Sequence, residues 1–413
     1  MKRYRLLLPA LLLGLVVFAG IAASTSQGTT DRTTGVAATG EVTLSGWASS
    51  PTETKLLKEV IRGFEKTFPS VKVNYAPISG DYPAAMLAKF AARTPADVFY
   101  VDSNVAPDWI KQRLLEPLDP YVAKSKLKTS AFFPSLLRGF KGPDGKTYGF
   151  PKDWSPLAME TNNRLLAAAG TKAPKTWDEL RAAARKLQGK VPGGRPICLS
   201  PSWDRLLAFV YQNGGTFLNA SKTRSTVNTT AVRRAAEWYV TLINQGLAGT
   251  PAQLGVGWCG EALGKAKAAI IFEGNWVVPF MAETFPDVRF TVNKMIRGKQ
   301  EGNLAFTVSY SMARDSKNKD AAWQLIRYLV GQPGMKTWTS KGLALPSRSD
   351  VRAPAGRENF IAAAPAARPW QFAPTFTKVI DIANNELSAV IERKQSVAAM
   401  LTKVDKAANE ALR

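Results

Sequence analysis

The sequence predicts an α/β protein built as two units, each a mostly parallel sheet flanked by helices. Three observations carry this. From Glu41 onward, short apolar or alternating runs take turns with amphipathic stretches of helical spacing, the pattern of successive βαβ units. A second series of the same kind begins near Gly149-Phe-Pro-Lys-Asp-Trp154. The chain's 413 residues are also more than one ordinary core organises.

The elements follow in order. Glu41-Val-Thr-Leu-Ser-Gly-Trp47 reads as a strand running into a small-residue loop. Residues 54–68 set apolar side chains at 56, 57, 60, 61, 64 and 68, one face of a helix. Val71-Lys-Val-Asn-Tyr75 alternates as a strand, and 84–92 form a helix. Asp97-Val-Phe-Tyr-Val101 is a strand leading into Asp102-Ser103-Asn104. In such sheets ligands gather beyond the strand C-terminal ends. Position alone therefore singles out 47–50 and 102–104.

In the second unit Leu157-Ala-Met-Glu-Thr161 is a strand, and 163–169 a short helix stopped by Gly170. Thr176-Trp-Asp-Glu179 has the form of a capping box and opens a helix to Leu187. Pro196-Ile-Cys-Leu-Ser200 is a strand, and helices follow at 203–211 and 229–245, the latter stopped by Gly246. Ala268-Ala-Ile-Ile-Phe272 is wholly apolar and so a central, buried strand. Helices are expected at 319–330 and 333–338, and nearly throughout 375–412.

Composition sets the compartment. The basic Met1-Lys-Arg-Tyr-Arg5, a long apolar run and a small-residue exit read as a secretory signal peptide over 1–25, with an uncleaved anchor as the alternative. Residues 26–40 read as a flexible leader. No cysteine stands at the exit, so a lipoprotein is not expected. An extracytoplasmic, periplasmic address makes a disulfide the expected state of Cys198 and Cys259, two buried thiols being the alternative. The formal net charge is +23, from 55 Lys and Arg against 32 Asp and Glu. These charges are scattered singly, with no basic block. They read as a solvated surface, and no nucleic-acid partner is expected.

Much chemistry is excluded. The chain has no histidine, which removes Ser-His-Asp and Cys-His catalysis and histidine-bound zinc. No catalytic residue, cofactor or metal is expected. Gly255-Val-Gly-Trp-Cys-Gly260 matches G-x-G-x-x-G, but a loop precedes it where a dinucleotide site needs a strand. A phosphate loop ahead of Gly264-Lys265 fails at Cys259 and Ala266.

What remains is tryptophan beside polar groups. Of eleven, Trp109, Trp177, Trp238 and Trp323 fall inside amphipathic helices and read as core. Trp47, Trp154, Trp203, Trp258, Trp276, Trp338 and Trp370 fall at element ends or in loops. Several stand beside hydrogen-bonding side chains: Trp47 with Ser49, Trp154 with Asp153, Trp203 with Arg205, Trp258 with Glu261, and Trp276 with Glu273 and Asn275. An indole face beside carboxylates and amides suits a sugar, whose C–H face stacks while its hydroxyls take hydrogen bonds. Sealing a loop over the core is the alternative for each.

The sequence resembles the extracellular solute-binding proteins of ABC importers, in the sugar-binding family that includes the maltose-binding protein. The resemblance runs over nearly all of 41–413. It is carried by Phe64-Glu-Lys-Thr-Phe-Pro-Ser-Val-Lys-Val73, Pro95-Ala-Asp-Val-Phe99, Leu114-Leu-Glu-Pro-Leu-Asp119 and Gln212-Asn-Gly-Gly215. It continues in Trp258-Cys-Gly-Glu-Ala-Leu-Gly-Lys265, Ala268-Ala-Ile-Ile-Phe-Glu-Gly-Asn-Trp276, Lys317-Asn-Lys-Asp-Ala-Ala-Trp323 and Leu345-Pro-Ser-Arg348.

The resemblance implies a two-lobed periplasmic-binding-protein fold of type II with three hinge crossings. Lobe 1 would comprise 41–150 plus 312–342, and lobe 2 would comprise 157–303 plus 349–413. The crossings would be 151–156, 304–311 and 343–348. The implied ligand set is Trp47, Ser49, Asp102, Ser103 and Asp153 with Trp154 from the first lobe and hinge. Trp203, Arg205, Trp258, Glu261, Glu273, Asn275 and Trp276 come from the second lobe, and Tyr310 and Arg348 from the other crossings. The implied partners are a carbohydrate and, transiently, ABC permease subunits in the membrane, with the binding protein a monomer. Two rivals stay open: a secreted glycoside hydrolase using a pair from Asp153, Glu261 and Glu273, and a binder of a quaternary amine or an anionic sugar.

Overall fold

The computed structural model describes residues 39–47, 51–125 and 127–413. The expected signal peptide, all but the end of the leader, and Ser49 lie outside the described residues. No helix among the described residues is long and apolar enough to cross a membrane.

Among the described residues eleven strands build two sheets: β1 Gly40–Ser45, β2 Val71–Tyr75, β3 Val98–Asp102, β4 Phe150–Pro156, β5 Ala158–Asn162, β6 Arg195–Cys198, β7 Ala248–Gly249, β8 Ala268–Glu273, β9 Phe290–Asn293, β10 Asn303–Met312 and β11 Ala367–Pro369. The first sheet runs β11-β10-β3-β1-β2, with β4 on the other edge of β10. The second runs β7-β6-β8-β5-β9. β8, wholly apolar before Glu273 and wholly buried, is the central strand of the second sheet, as its composition requires.

Helical spacing becomes helix where an apolar face meets a sheet. Helix Pro51–Thr67 buries Leu56, Leu57, Val60, Ile61 and Phe64 against the first core. Helix Trp177–Leu187 starts at Thr176, whose side chain accepts from the Glu179 amide. Its expected capping box closes one residue early, because Glu179 Oε2 accepts from Lys175 N (2.8 Å) rather than from the cap. The tail folds as two helices, Thr377–Ile391 and Val397–Ala411, which bury Leu387, Val390, Leu401 and Val404 in the second core.

Both sheets are mixed. β1 runs parallel to β2 and β3, but β10 runs antiparallel to β3 and β4. In the second sheet β5 is antiparallel to β8 and β9, while β6 is parallel to β7 and β8. The reason is connectivity. β4 and β5 are separated only by Leu157, so β5 enters the second sheet without a crossover helix to set it parallel. Strand β11, which the expected boundaries put in the second lobe, pairs instead with β10 at the edge of the first sheet.

Candidate functional site

The site is set by an irregularity in the first sheet. β3 and β11 occupy the same edge of β10 but run in opposite directions, and their C-terminal ends converge on Phe306 and Thr307. Ligands collect where strand ends diverge or meet in this way. Ser103 bridges the two exits: its amide donates to Thr307 O (3.1 Å) and its Oγ to Trp370 O (2.9 Å). Asp102, half-buried, aligns with Asp153 across Val308, so both carboxylates share one face of the sheet. Burial pushes the Asp102 carboxyl up to about 6, with the Asn104 amide pulling it down and the Asp153 charge raising it further.

On the first lobe, Trp47 stands edge-on to Tyr82 (5.3 Å) and Tyr100 (5.2 Å). Beside them Lys152 is buried, its Nζ 3.9 Å from the Trp338 ring centre and 4.9 Å from that of Tyr100. The same ammonium lies 2.5 Å from Asp153 Oδ2 and 3.8 Å from Glu53 Oε1. Trp338 Nε1 donates to Asp153 Oδ2 (2.8 Å), which fixes the carboxylate. Two rings and two acids form the kind of cage that binds an external ammonium. Here the chain fills it with its own. Tyr310 is buried behind, edge-on to Tyr100 at 5.5 Å.

On the second lobe, Glu273 ends β8 and organises its surroundings. Its Oε2 accepts from Arg205 Nη2 (2.7 Å) and from Trp276 Nε1 (3.1 Å). Arg205 also pairs with Asp204 (2.9 Å) and lies 5.5 Å from the Trp276 ring centre and 5.4 Å from that of Phe306. Trp276 is half-buried and edge-on to Phe306 (5.4 Å). It therefore stands at the floor where β3 and β11 converge. Beneath, buried Glu160 accepts from the Glu273 amide (3.1 Å). Burial and the neighbouring Glu273 charge push the Glu160 carboxyl well above its usual range, which favours its neutral form. Asn275 joins the lobes: its amide donates to Ser155 Oγ (2.7 Å) and its Nδ2 to Gly342 O (2.9 Å).

The structure thus gathers Trp47, Asp102, Ser103, Asp153, Arg205, Glu273, Asn275 and Trp276 around the junction of the two sheets. Tyr310 stands behind them against Tyr100, and Trp203, Trp154, Arg348, Trp258 and Glu261 are placed elsewhere. Trp203 is fully buried and donates Nε1 to Ala383 O (2.9 Å), deep in the second core. Trp154 is buried and donates to Pro346 O (3.0 Å). Arg348 pairs with Asp350 (2.8 Å) over the Phe132 ring. Trp258 packs edge-on against Phe280 (4.7 Å) in a small satellite cluster, with Cys198 and Cys259 in the same cluster. Those cysteines are disulfide-bonded, with Cα atoms 5.5 Å apart. Glu261 turns to its own helix, pairing with Lys265 (2.5 Å) and accepting from Gly257 N (2.7 Å). The amide that a phosphate loop would offer to an anion is therefore taken by the chain's own carboxylate. Sequence reasoning missed Phe306 and Glu53. Phe306 is one aromatic in an alternating strand, and Glu53 looks like any acid in a first helical turn; neither carries a local signal.

The chain matches the family model of the bacterial extracellular solute-binding proteins over residues 48–336. Its structure superposes on an ABC substrate-binding protein of Listeria monocytogenes in complex with cycloalternan (TM-score 0.82, 21% identity, 90% of this chain and 98% of that one). It also superposes on the sugar-binding protein MalE of Xanthomonas citri (TM-score 0.77, 22% identity, 90% and 97%). In sequence, 194 residues are 24% identical to the sn-glycerol-3-phosphate-binding periplasmic protein UgpB of Brucella abortus, 44% of each chain.

Proposed function

Because the chain belongs to the bacterial extracellular solute-binding proteins, we propose that it captures a sugar or oligosaccharide between its two lobes for an ABC importer. The observation that carries this is Trp276. Its indole is half-buried at the junction of the sheets and held in orientation by Glu273, with a charged guanidinium and a second ring beside it. A flat apolar face flanked by fixed carboxylates matches a pyranose, which offers a C–H face and an equatorial ring of hydroxyls.

Binding proceeds without covalent chemistry. The sugar stacks on Trp276, and the lobes rotate about the β4 and β10 crossings until Asp102, Asp153 and Trp47 reach its hydroxyls. Its differential affinity for the closed form drives the shift. The closed monomer then docks on membrane permease subunits outside the cytoplasm. The hydrolase alternative is disfavoured by pairing: Asp153, Glu261 and Glu273 are each tied to a cation of the chain. The likeness to a sugar-binding structure supports the same reading.

Isothermal calorimetry against a panel of mono- and oligosaccharides tests it. Trp276→Ala is expected to weaken the best ligand at least tenfold, about 1.4 kcal/mol. Unchanged affinity would remove Trp276 from the site.

A further inference from the structure

Strand β11 brings a cation to the site. Arg368 pairs in register with Leu304, two residues before Phe306 on β10. Side chains alternate along a strand, so Arg368 shares the sheet face of Phe306 and, through Val308, that of Asp102 and Asp153. At this edge a hollow of about 550 Å³ opens between the β11 side of the first sheet and Tyr211 and Phe217 of the second core. Arg138, Lys222 and Arg368 line it, and no acid does. It adjoins the Ser103 bridge. Gln371, on its wall, follows the Trp370 carbonyl that takes the Ser103 hydroxyl, and donates Nε2 to Gly139 O (2.5 Å).

Two observations set this hollow apart. The first is unbalanced charge. Among the described residues no ion pair joins its three cations to an acid. Lys222 Nζ donates only to neutral oxygens, Gln371 Oε1 (2.9 Å) and Phe372 O (3.5 Å). Burial lowers its pKa below the ordinary lysine value, as for a charge short of a counter-ion. The backbone nonetheless holds Lys222 there at φ 55°, in a loop tied by Asn219 Oδ1, which accepts from Thr223 N (2.8 Å) and Arg224 N (3.0 Å). Two other basic hollows are balanced: Lys128, Arg327 and Arg348 share theirs with Asp350, and Arg224 and Arg413 share theirs with Asp405. The second observation is Tyr211. It lines the hollow, is 7% exposed, and its hydroxyl has no hydrogen-bond partner among the described residues. Arg368 lies over its ring, 4.6 Å from the centre. A buried hydroxyl without a partner is uncommon and needs an account.

We propose that this hollow seats an anionic group of the ligand, so that the sugar the protein takes carries a carboxylate or a phosphate. The inference rests on the sugar-binding reading above and names the class of sugar. The two guanidinium groups offer forks that match carboxylate and phosphate oxygens. Lys222 adds a point charge, and the Tyr211 hydroxyl a donor with no competing acceptor. The cations at Trp276 and Trp338 cannot serve, because Arg205 and Lys152 are already paired with the chain's own acids. A run of rings joins the stacking face to the anion seat. It leads from Trp276 to Phe306 (5.4 Å), from Phe306 to Trp370 (6.5 Å) and from Trp370 to Phe372 (4.8 Å), which lines the hollow.

The test is calorimetry in which each neutral sugar of the panel is paired with its C6 uronate and its C6 phosphate ester, at pH 7.5 and low salt. At least one anionic counterpart is expected to bind about tenfold or more tightly than its neutral partner. The counterpart that gains tells carboxylate from phosphate. Arg368→Gln and Lys222→Gln are each expected to cut that ratio by about threefold or more, with the melting temperature checking that each variant is folded. Neutral sugars that bind as tightly as both counterparts, or a ratio unchanged in both variants, overturn the anion seat and leave the sugar reading standing. Binding of no sugar, neutral or acidic, overturns the sugar reading and the inference with it.

Discussion

Gly274 shows how a residue without a side chain can shape a binding surface. A Cβ at this position would lie 2.3 to 2.6 Å from the six-membered ring of Trp276, closer than atoms pack. Glycine here lets the indole fold back over the main chain toward Glu273. Gly274→Ala is therefore expected to swing Trp276 away and lower ligand affinity nearly as much as removing the indole, at little cost in melting temperature. Affinity equal to the parent's would mean that the ring holds its place without this glycine.

Asp102 makes a prediction about pH. Its carboxyl sits at about 6 in the folded protein against an ordinary 3.8, so the folded state holds the proton more tightly than the unfolded chain does. The ionised form then costs stability. That cost is absent below 3.8, grows as pH rises, and is complete above about 6. Asp102→Asn escapes it, so its gain in melting temperature over the parent should be larger at pH 7.5 than at pH 4. The difference is roughly 1 kcal/mol once solvent contact is allowed for. An equal gain at both pH values would rule out the linkage. Side chains such as Trp203 mark the limit of what local pattern reveals. Trp203 and Trp276 look alike in sequence, each beside acids and a helix start. What separates them is a backbone carbonyl at Ala383, 180 residues away, that satisfies one indole N–H in the core.

At the scale of elements, the disulfide joins the end of β6 to helix Cys259–Gly264, which leads into central strand β8. It closes a sequence separation of 61 residues. A crosslink over such a loop restricts the unfolded chain by about 2–4 kcal/mol. The double variant Cys198→Ala, Cys259→Ala should unfold at lower denaturant by that margin, measured by equilibrium urea titration, while keeping its ligand affinity. A large loss of affinity at full folding would instead tie the satellite cluster to the cleft. Most elements were legible because their apolar period is set by a single face: helix Pro51–Thr67 and strand β8 are clear cases. Strands β7 and β11 were not, having two and three residues. The direction of β5 was hidden too, since no residue pattern distinguishes an antiparallel strand that enters from the neighbouring sheet.

At the scale of the whole molecule, the junction is lopsided. β4 and β10 both belong to the first sheet and pair along Ala305 to Tyr310. The segment at 345–347 is laced to β4 as well, through Trp154 and Pro151. The second sheet owns none of them. Two of the passages to it run through Leu157 and Asn303, where the Asn303 side chain grips both backbone groups of Leu157, accepting from its N–H (3.3 Å) and donating to its C=O (2.7 Å); a third leads from β11 to helix Thr377–Ile391. The first lobe and the crossings thus share one hydrogen-bonded frame, and a turn of the second lobe is expected at its far edge rather than midway. Any swing of the second lobe carries Trp276, Arg205 and Glu273 through an arc, while Asp102, Asp153 and Trp47 stay fixed to the frame. The amide of Asn303 is thus the clasp at which both β4 and β10 leave the first sheet.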